Sequence, residues 1–125
     1  MKLTNKQIID AVPALNKLMN EKLQAKTAFT IAKNVQTLSK IVEKIENTKN
    51  EKINKWIEKD EKGNPIKDTN KNAYKLKKDN KLNEEIQTLF KEENEINIDK
   101  INLEELKDIK IEPNTLISIN WMIQE

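Results

Sequence analysis

The side chains that most often carry enzymatic chemistry are missing from this sequence. It contains no His, Cys or Arg, and all 23 of its basic residues are Lys. Without His or a reactive Cys, the usual general base and the usual nucleophile–base pairs are missing near neutral pH. Without Cys, disulfides and thiolate metal sites are excluded, and a single Gly is too few for a phosphate-cradling loop. The composition therefore predicts a protein that is not an enzyme.

Acidic residues are the remaining candidates for catalysis or metal binding. Adjacent Glu pairs occur three times, but neighbouring residues of a helix do not converge on one site. The segment 108–112 would place Asp108, Lys110 and Glu112 on one face of a strand, where a metal-dependent nuclease could use them. Because this spacing is common by chance, we predict no catalytic, cofactor or metal site. The adjacent pairs are Glu84–Glu85, Glu92–Glu93 and Glu104–Glu105.

Lysine is concentrated in the middle of the chain. Residues 49–81 hold 11 Lys and 6 acidic residues, interleaved with Trp56 and Tyr74. Lysines can neutralise phosphates while an aromatic ring stacks on a base, so this segment is a candidate nucleic-acid surface. The absence of Arg, whose planar fork suits phosphate and guanine, argues against that interpretation. A solvated lysine-rich loop is the plain alternative.

The net charge of +2 hides an asymmetry along the chain. Residues 1–81 hold 19 Lys and 10 acidic residues, a balance of +9, whereas residues 82–125 hold 4 Lys and 11 acidic residues, a balance of −7. The two parts either attract each other within the fold or present a basic and an acidic surface to different partners.

The element that must position the lysines is a long predicted helix, Ala25–Lys59, which contains neither Pro nor Gly. Its apolar residues recur every three or four positions and form one stripe from Phe29 to Ile57. At 1.5 Å per residue the helix would be roughly 50 Å long, which is more than a compact domain of this size spans. We therefore expect its distal half, Asn50–Lys59, to bend or to leave the main core.

That distal half supplies the predicted partner-binding site. Ile53, Trp56 and Ile57 would form an apolar anchor with nothing to cover it, ringed by lysines. The same patch could instead bury against a second copy, which leaves a homodimer open, or against the segment that follows. The predicted partner-binding residues are Lys52, Ile53, Lys55, Trp56, Ile57, Lys59, Lys71, Tyr74, Lys75, Lys77, Lys78 and Lys81.

The first helix should begin at Asn5, because Thr4 and Gln7 are spaced as a capping box. Pro13 cannot donate to the helical ladder, so it should kink this helix or restart it. A break at residues 20–24 should let the first and the long helix pack as an antiparallel pair.

A loop is predicted over residues 60–72, where Gly63 and Pro65 stop the long helix. Ile66 and residues 74–76 would then pair as a short hairpin around residues 68–72. No Asn-Gly turn marks this hairpin.

The last third of the chain should alternate between short elements. We predict a third helix over residues 80–93 with Asp79 as its cap, a short strand through Ile96 and Ile98, and alternating residues again at 109–111. A second capping box, Asn102–Glu105, should open a single helical turn. A final helix over residues 113–124 carries so many apolar residues that it should be largely buried.

Together these elements predict one domain, residues 1–125, of the mainly α, α+β class. An antiparallel helix pair with one long helix occupies residues 1–59, and a lysine-rich loop or short hairpin occupies residues 60–78. Residues 79–125 supply the third helix, short strands and a buried C-terminal helix.

The segment from Leu3 to Val35, LTNKQIIDAVPALNKLMNEKLQAKTAFTIAKNV, resembles the start of a small family of uncharacterised phage and prophage proteins of low-GC bacteria. The later pieces EKDEKGN (58–64), YKL (74–76), INIDKI (96–101) and ISINWMI (117–123) follow the same layout. The resemblance supplies no catalytic or binding residues. It implies a phage or mobile-element product that acts inside a bacterial cell.

The sequence and the resemblance together predict a non-catalytic interaction protein in the cytoplasm of a bacterial host. Its most specific form is a stoichiometric, anti-CRISPR-like inhibitor that blocks a host defence complex by occupying its surface. The alternative is a nucleic-acid-binding phage accessory protein that uses the lysine-rich segment, and a weaker alternative is a sponge for a nucleotide signal. No apolar run is long enough to span a bilayer, so we expect no membrane partner.

Overall fold

The computed structural model describes residues 1–68 and 73–125, and these residues form four α-helices connected by short strands and single helical turns. This is the mainly α, α+β architecture that the sequence predicts. In chain order the elements are β1 (Lys2–Thr4), α1 (Asn5–Met19), α2 (Ala25–Trp56), β2 (Lys67–Asp68), β3 (Ala73–Tyr74), α3 (Leu82–Lys91), β4 (Glu93–Glu95), β5 (Ile101–Asn102), a 3₁₀ turn (Leu103–Leu106), α4 (Pro113–Ile119), a second 3₁₀ turn (Asn120–Met122) and β6 (Ile123–Gln124).

Helix α1 begins at Asn5 and ends at Met19, just before the predicted break at residues 20–24. Thr4 Oγ1 accepts a hydrogen bond from the Gln7 amide at 3.1 Å, and Gln7 Oε1 accepts one from the Thr4 amide at 2.9 Å. The expectation that Pro13 restarts the helix is wrong, because α1 continues through it to Met19. Pro13 is exposed, so its ring displaces no core side chain.

Helix α2 is more than twice as long as the α1 helix against which it packs. It ends at Trp56, three residues before the predicted end, because Ile57 is extended and pairs with Leu76. The Lys77 amide donates to the Trp56 carbonyl at 2.7 Å and takes up one of the helix's terminal acceptors. Beyond α1, helix α3 packs on α2, so the distal half of α2 leaves the main core but gains its own cover.

The main core lies where α1, the first half of α2 and the C-terminal third of the chain meet. Ile8 and Leu15 of α1 pack there with Ile31 and Leu38 of α2 and with Ile119 of α4, and all five are fully buried. Burial of each such side chain stabilises the fold by roughly 1.5–3 kcal/mol.

The short strands fasten the termini to this core. β1 pairs antiparallel with β4, and β5 pairs parallel with β6. The predicted hairpin is confirmed: β2 pairs antiparallel with β3, with Lys67 opposite Tyr74. Most of its predicted turn, residues 69–72, lies outside the described residues.

The C-terminal third differs from prediction in four places. α3 is shorter at both ends than the predicted helix, and its N-cap is Lys81 rather than Asp79, with no hydrogen bond from the cap side chain. The Leu82 amide instead donates to Asn80 Oδ1 at 3.3 Å. The strand is predicted through Ile96 and Ile98, but the observed strand β4 ends one residue before Ile96. Residues 109–111 form no strand. The final helix, predicted over residues 113–124, ends at Ile119 and is followed by a 3₁₀ turn and β6.

The C-terminal helix is also less buried than predicted. Thr115 and Ile119 are buried, but Ile117 is 66% exposed. The second capping box is confirmed, because Asn102 and Glu105 exchange their hydrogen bonds at the start of the 3₁₀ turn.

Candidate partner-binding surface

The tip of helix α2 is tied to helix α3 by one carboxylate. Trp56 Nε1 donates to Glu85 Oε2 at 2.9 Å, and Lys55 Nζ donates to Glu85 Oε1 at 3.0 Å. The Lys55 ammonium also lies 5.0 Å from the centre of the Trp56 ring, within the range of a cation–π contact. The hydrogen bond from Trp56, followed by the one from Lys55, lowers the pKa of Glu85 below its ordinary value. Glu85 is therefore held ionised and fixes the Trp56 ring against α3.

The chain then forms a small three-segment sheet in which residues 73–77 pair with two other segments. The Lys75 amide donates to the Ile66 carbonyl at 2.7 Å, and the Lys75 carbonyl accepts from the Glu58 amide at 2.8 Å. Both groups lie on the same edge, so residues 57–59 and 65–68 both pair with one side of residues 73–77. The two segments also pair with each other, since the Ile66 amide donates to the Glu58 carbonyl at 3.0 Å. Between them, loop 60–64 turns at Gly63, whose φ of 82° favours glycine.

The predicted lysines gather at this end of the molecule. Lys59, Lys75, Lys77, Lys78 and Lys81 are exposed on the sheet and on the short connection that leads to α3. We call this set, together with Tyr74 and Leu76, the hairpin surface. Its only ion pair within the described part of the chain is Lys75 with Glu58, at 3.6 Å. The lysines that lack ion pairs leave exposed positive charge on the hairpin surface, alongside the carboxylates of Glu58 and Asp79 in the same segments.

Two of the other predicted lysines lie on helix α2 next to helix α3. Lys55 is engaged with Glu85, and Lys52 is half-buried. Lys52 and Lys81 flank a cleft of about 230 Å³ whose remaining wall is largely acidic, with Glu84, Glu85 and Glu92. Lys71 lies outside the described residues.

The predicted apolar anchor is not exposed as expected. Ile57 is only 5% exposed, and Ile53 and Trp56 are half-buried, because the sheet and α3 cover the end of α2. The exposed apolar side chains of this region are on the hairpin instead: Tyr74 is 49% exposed and Leu76 is 36% exposed. Leu76 was not among the predicted site residues. The alternation of Tyr74 and Leu76 with lysines was the signal for it, since a strand places alternate residues on one face.

The charged residues of segment 108–112 do not form the strand face that a metal-dependent nuclease would need. These residues are not a strand, and Glu112 lies 3.9 Å from Lys17 of α1. Among residues 1–68 and 73–125, no three metal-ligating side chains come close enough together to hold an ion.

A second concave surface lies in the C-terminal third. It has a volume of about 490 Å³ and is lined mainly by Leu103, Leu106, Ile109, Ile111 and Leu116. The charged side chains of Glu104, Lys107 and Glu125 also line it.

No helix in the described parts of the chain combines the length and the apolar character needed to cross a bilayer. Comparison of the chain with known protein families, curated proteins and solved structures finds no match. The resemblance to phage proteins therefore stays a prediction, and arguments about function rest on the surface just described.

Proposed function

We propose that this chain is a non-catalytic binding protein that acts by occupying a surface of a larger partner. The observation that carries the proposal is the hairpin surface, where five exposed lysines lie on the same small sheet and connection as two exposed apolar side chains. Protein-binding sites usually combine apolar and polar contacts.

The chemistry of the hairpin surface favours an acidic protein partner. Lysine provides point charges without the planar fork that selects phosphate or guanine, so charge complementarity sets orientation and association rate. The base of this surface is held in place, because Trp56 and Glu85 join α2 to α3 beneath it.

A bacterial defence complex, such as a CRISPR effector, is the specific partner that we propose. A small protein that covers an acidic surface of such a complex can block the complex without catalysis. This step rests on the resemblance to phage proteins and not on the geometry of the hairpin surface.

Nucleic acid itself is the competing partner. Tyr74 is half exposed beside Lys75, so a base could stack on the ring while the lysines contact phosphates. Either kind of binding weakens as salt rises, so salt dependence does not separate them.

The test is capture of partners from bacterial lysate by the purified chain, with and without nuclease treatment. The variant that reverses three charges, Lys75→Glu, Lys77→Glu and Lys78→Glu, should lose at least nine-tenths of the captured protein. The matched control reverses three exposed lysines elsewhere, Lys22→Glu, Lys26→Glu and Lys40→Glu, and should capture as the wild type does.

A discrete host protein that survives nuclease and disappears only with the hairpin variant would support the proposal. Capture that is unchanged in the hairpin variant would contradict it. Recovery of nucleic acid alone would replace it with the nucleic-acid-binding alternative.

A further inference from the structure

The backbone of residues 73–77 has one paired edge and one open edge. The amide and carbonyl of Lys75 and the amide of Lys77 all bond inward, to Ile66, Glu58 and Trp56. Successive residues of a strand point their backbone groups to opposite sides, so Tyr74 and Leu76 direct theirs outward.

This outer edge has no partner within the described residues. β3 pairs with β2 and with no other described strand, and no backbone hydrogen bond of Leu76 is formed. An open edge of this kind is a template on which another extended segment can add as a strand.

The side chains along the edge select against a second copy of this chain. Antiparallel pairing of two such edges about Leu76 would set Lys75 of one copy opposite Lys77 of the other, and like charges directly opposite each other are destabilising. An acidic segment would meet the same lysines with opposite charge, and its apolar residues would meet Tyr74 and Leu76, which share the other face.

We infer that the outer edge of residues 73–77 binds an extended acidic segment of the partner as an added strand. The inference rests on the proposed function and specifies its mode of binding. Backbone hydrogen bonds supply the alignment, and Lys75 and Lys77 supply the preference for Glu or Asp at alternate positions.

The probe is a blocked hexapeptide of alternating Glu and Val, titrated onto the full-length chain and followed by amide hydrogen exchange. We expect saturable binding that slows exchange of the Leu76 amide at least tenfold. A Lys–Val peptide of the same length should not bind. A Glu–Val peptide N-methylated at alternate residues keeps its charge but loses its backbone donors, and it should bind at least tenfold more weakly.

A variant of the protein, in place of a modified peptide, tests the same edge. Leu76→Pro removes only an outward amide, so it should weaken binding of the Glu–Val peptide at least tenfold while the Lys77 amide keeps its protection. Leu76→Val, which keeps the amide, should bind as the wild type does. Absence of binding, or binding that tolerates both Leu76→Pro and N-methylation, would overturn the added strand.

The two proposals fail differently in the lysate experiment. If the triple lysine variant loses capture while Leu76→Pro retains it, the proposed function stands and the added strand is wrong. If neither variant loses capture, the hairpin surface is not the binding site.

Discussion

The side chains of two buried asparagines form hydrogen bonds with backbone groups that are distant in the sequence. Asn5 Nδ2 donates to the Leu89 carbonyl at 2.7 Å, which ties the start of α1 to the end of α3. Asn34, which is 1% exposed, donates to the Asp99 carbonyl at 2.8 Å and accepts from the Asp99 amide at 3.2 Å. A buried amide side chain can make both bonds at once, which an apolar residue in the same position could not.

The Asn34 contact gives the prediction at the residue scale. Asn34→Ala removes both bonds to Asp99 and leaves its backbone groups partly buried, so the free energy of unfolding should fall by about 1–3 kcal/mol. Urea denaturation followed by circular dichroism measures the change.

The matched control acts on the same partner. Lys33 forms an ion pair with the Asp99 side chain at 3.0 Å, but both groups are about 60% exposed. Lys33→Ala should therefore cost less than about 1 kcal/mol. An equal loss of unfolding free energy in both variants would show that the hydrogen bonds between the Asn34 side chain and the Asp99 backbone do not stabilise this part of the fold.

At the scale of elements, the long helix is stabilised in two separate ways along its length. Its first half is covered by α1 and the main core, and its distal half by α3 and the small sheet. Glu85, with a side chain only 25% exposed, joins the distal half to α3 through Trp56 and Lys55. The stability of this junction therefore depends on whether one carboxylate is ionised.

The prediction at this scale is a pH dependence. Because the folded-state pKa of Glu85 is lowered from its ordinary value of 4.5, its contribution is complete above that value and is lost as the pH falls through the lowered pKa. Glu85→Gln should therefore lower the urea midpoint at neutral pH, and the difference from the wild type should shrink in acid.

Glu84→Gln is the control for this pH series. Glu84 is exposed one residue earlier on the same helix, and its variant should track the wild type across the range. A gap between wild type and Glu85→Gln that stays constant with pH would mean that the charge of Glu85 does not hold the junction.

At the scale of the whole molecule, the opposite charges of the two parts of the chain do not neutralise each other. Ion pairs such as Lys17–Glu112 and Lys33–Asp99 do cross between the parts, but they are exposed and contribute little. Most of the hairpin lysines keep no acidic partner in the described structure. The hairpin surface is therefore available for a second molecule.

The molecule should also differ in local stability from one end to the other. The main core holds most of the buried side chains, whereas Ile57 is the buried hydrophobic residue of the described part of the small sheet. We expect the bonded amides of Glu58, Ile66 and Lys75 to exchange at least a hundredfold faster than those of central α1, because little burial opposes their opening.

Native-state hydrogen exchange read by mass spectrometry or NMR measures this difference. Exchange of the sheet amides at the rate of α1 would show instead that the molecule opens as a single unit.

The sequence by itself determined the elements whose signals are local. The capping boxes at Thr4 and Asn102, the stripe of α2, the break at residues 20–24 and the positive φ of Gly63 depend on a few neighbouring residues. The lysine content of residues 49–81 was equally plain, because charge can be counted without a fold.

Only the tertiary structure decided which side chains are left for a partner. Ile53, Trp56 and Ile57 fit an apolar stripe in any helix, and whether they are free depends on α3 and the sheet, which reach them from far along the chain. The same contacts end α2 at Trp56. They also leave the side chains of Tyr74 and Leu76 exposed and the backbone groups of Leu76 on an open edge. The exposure of Ile53, Trp56 and Ile57 depends on packing against elements that are distant in sequence, and the helical stripe does not report it.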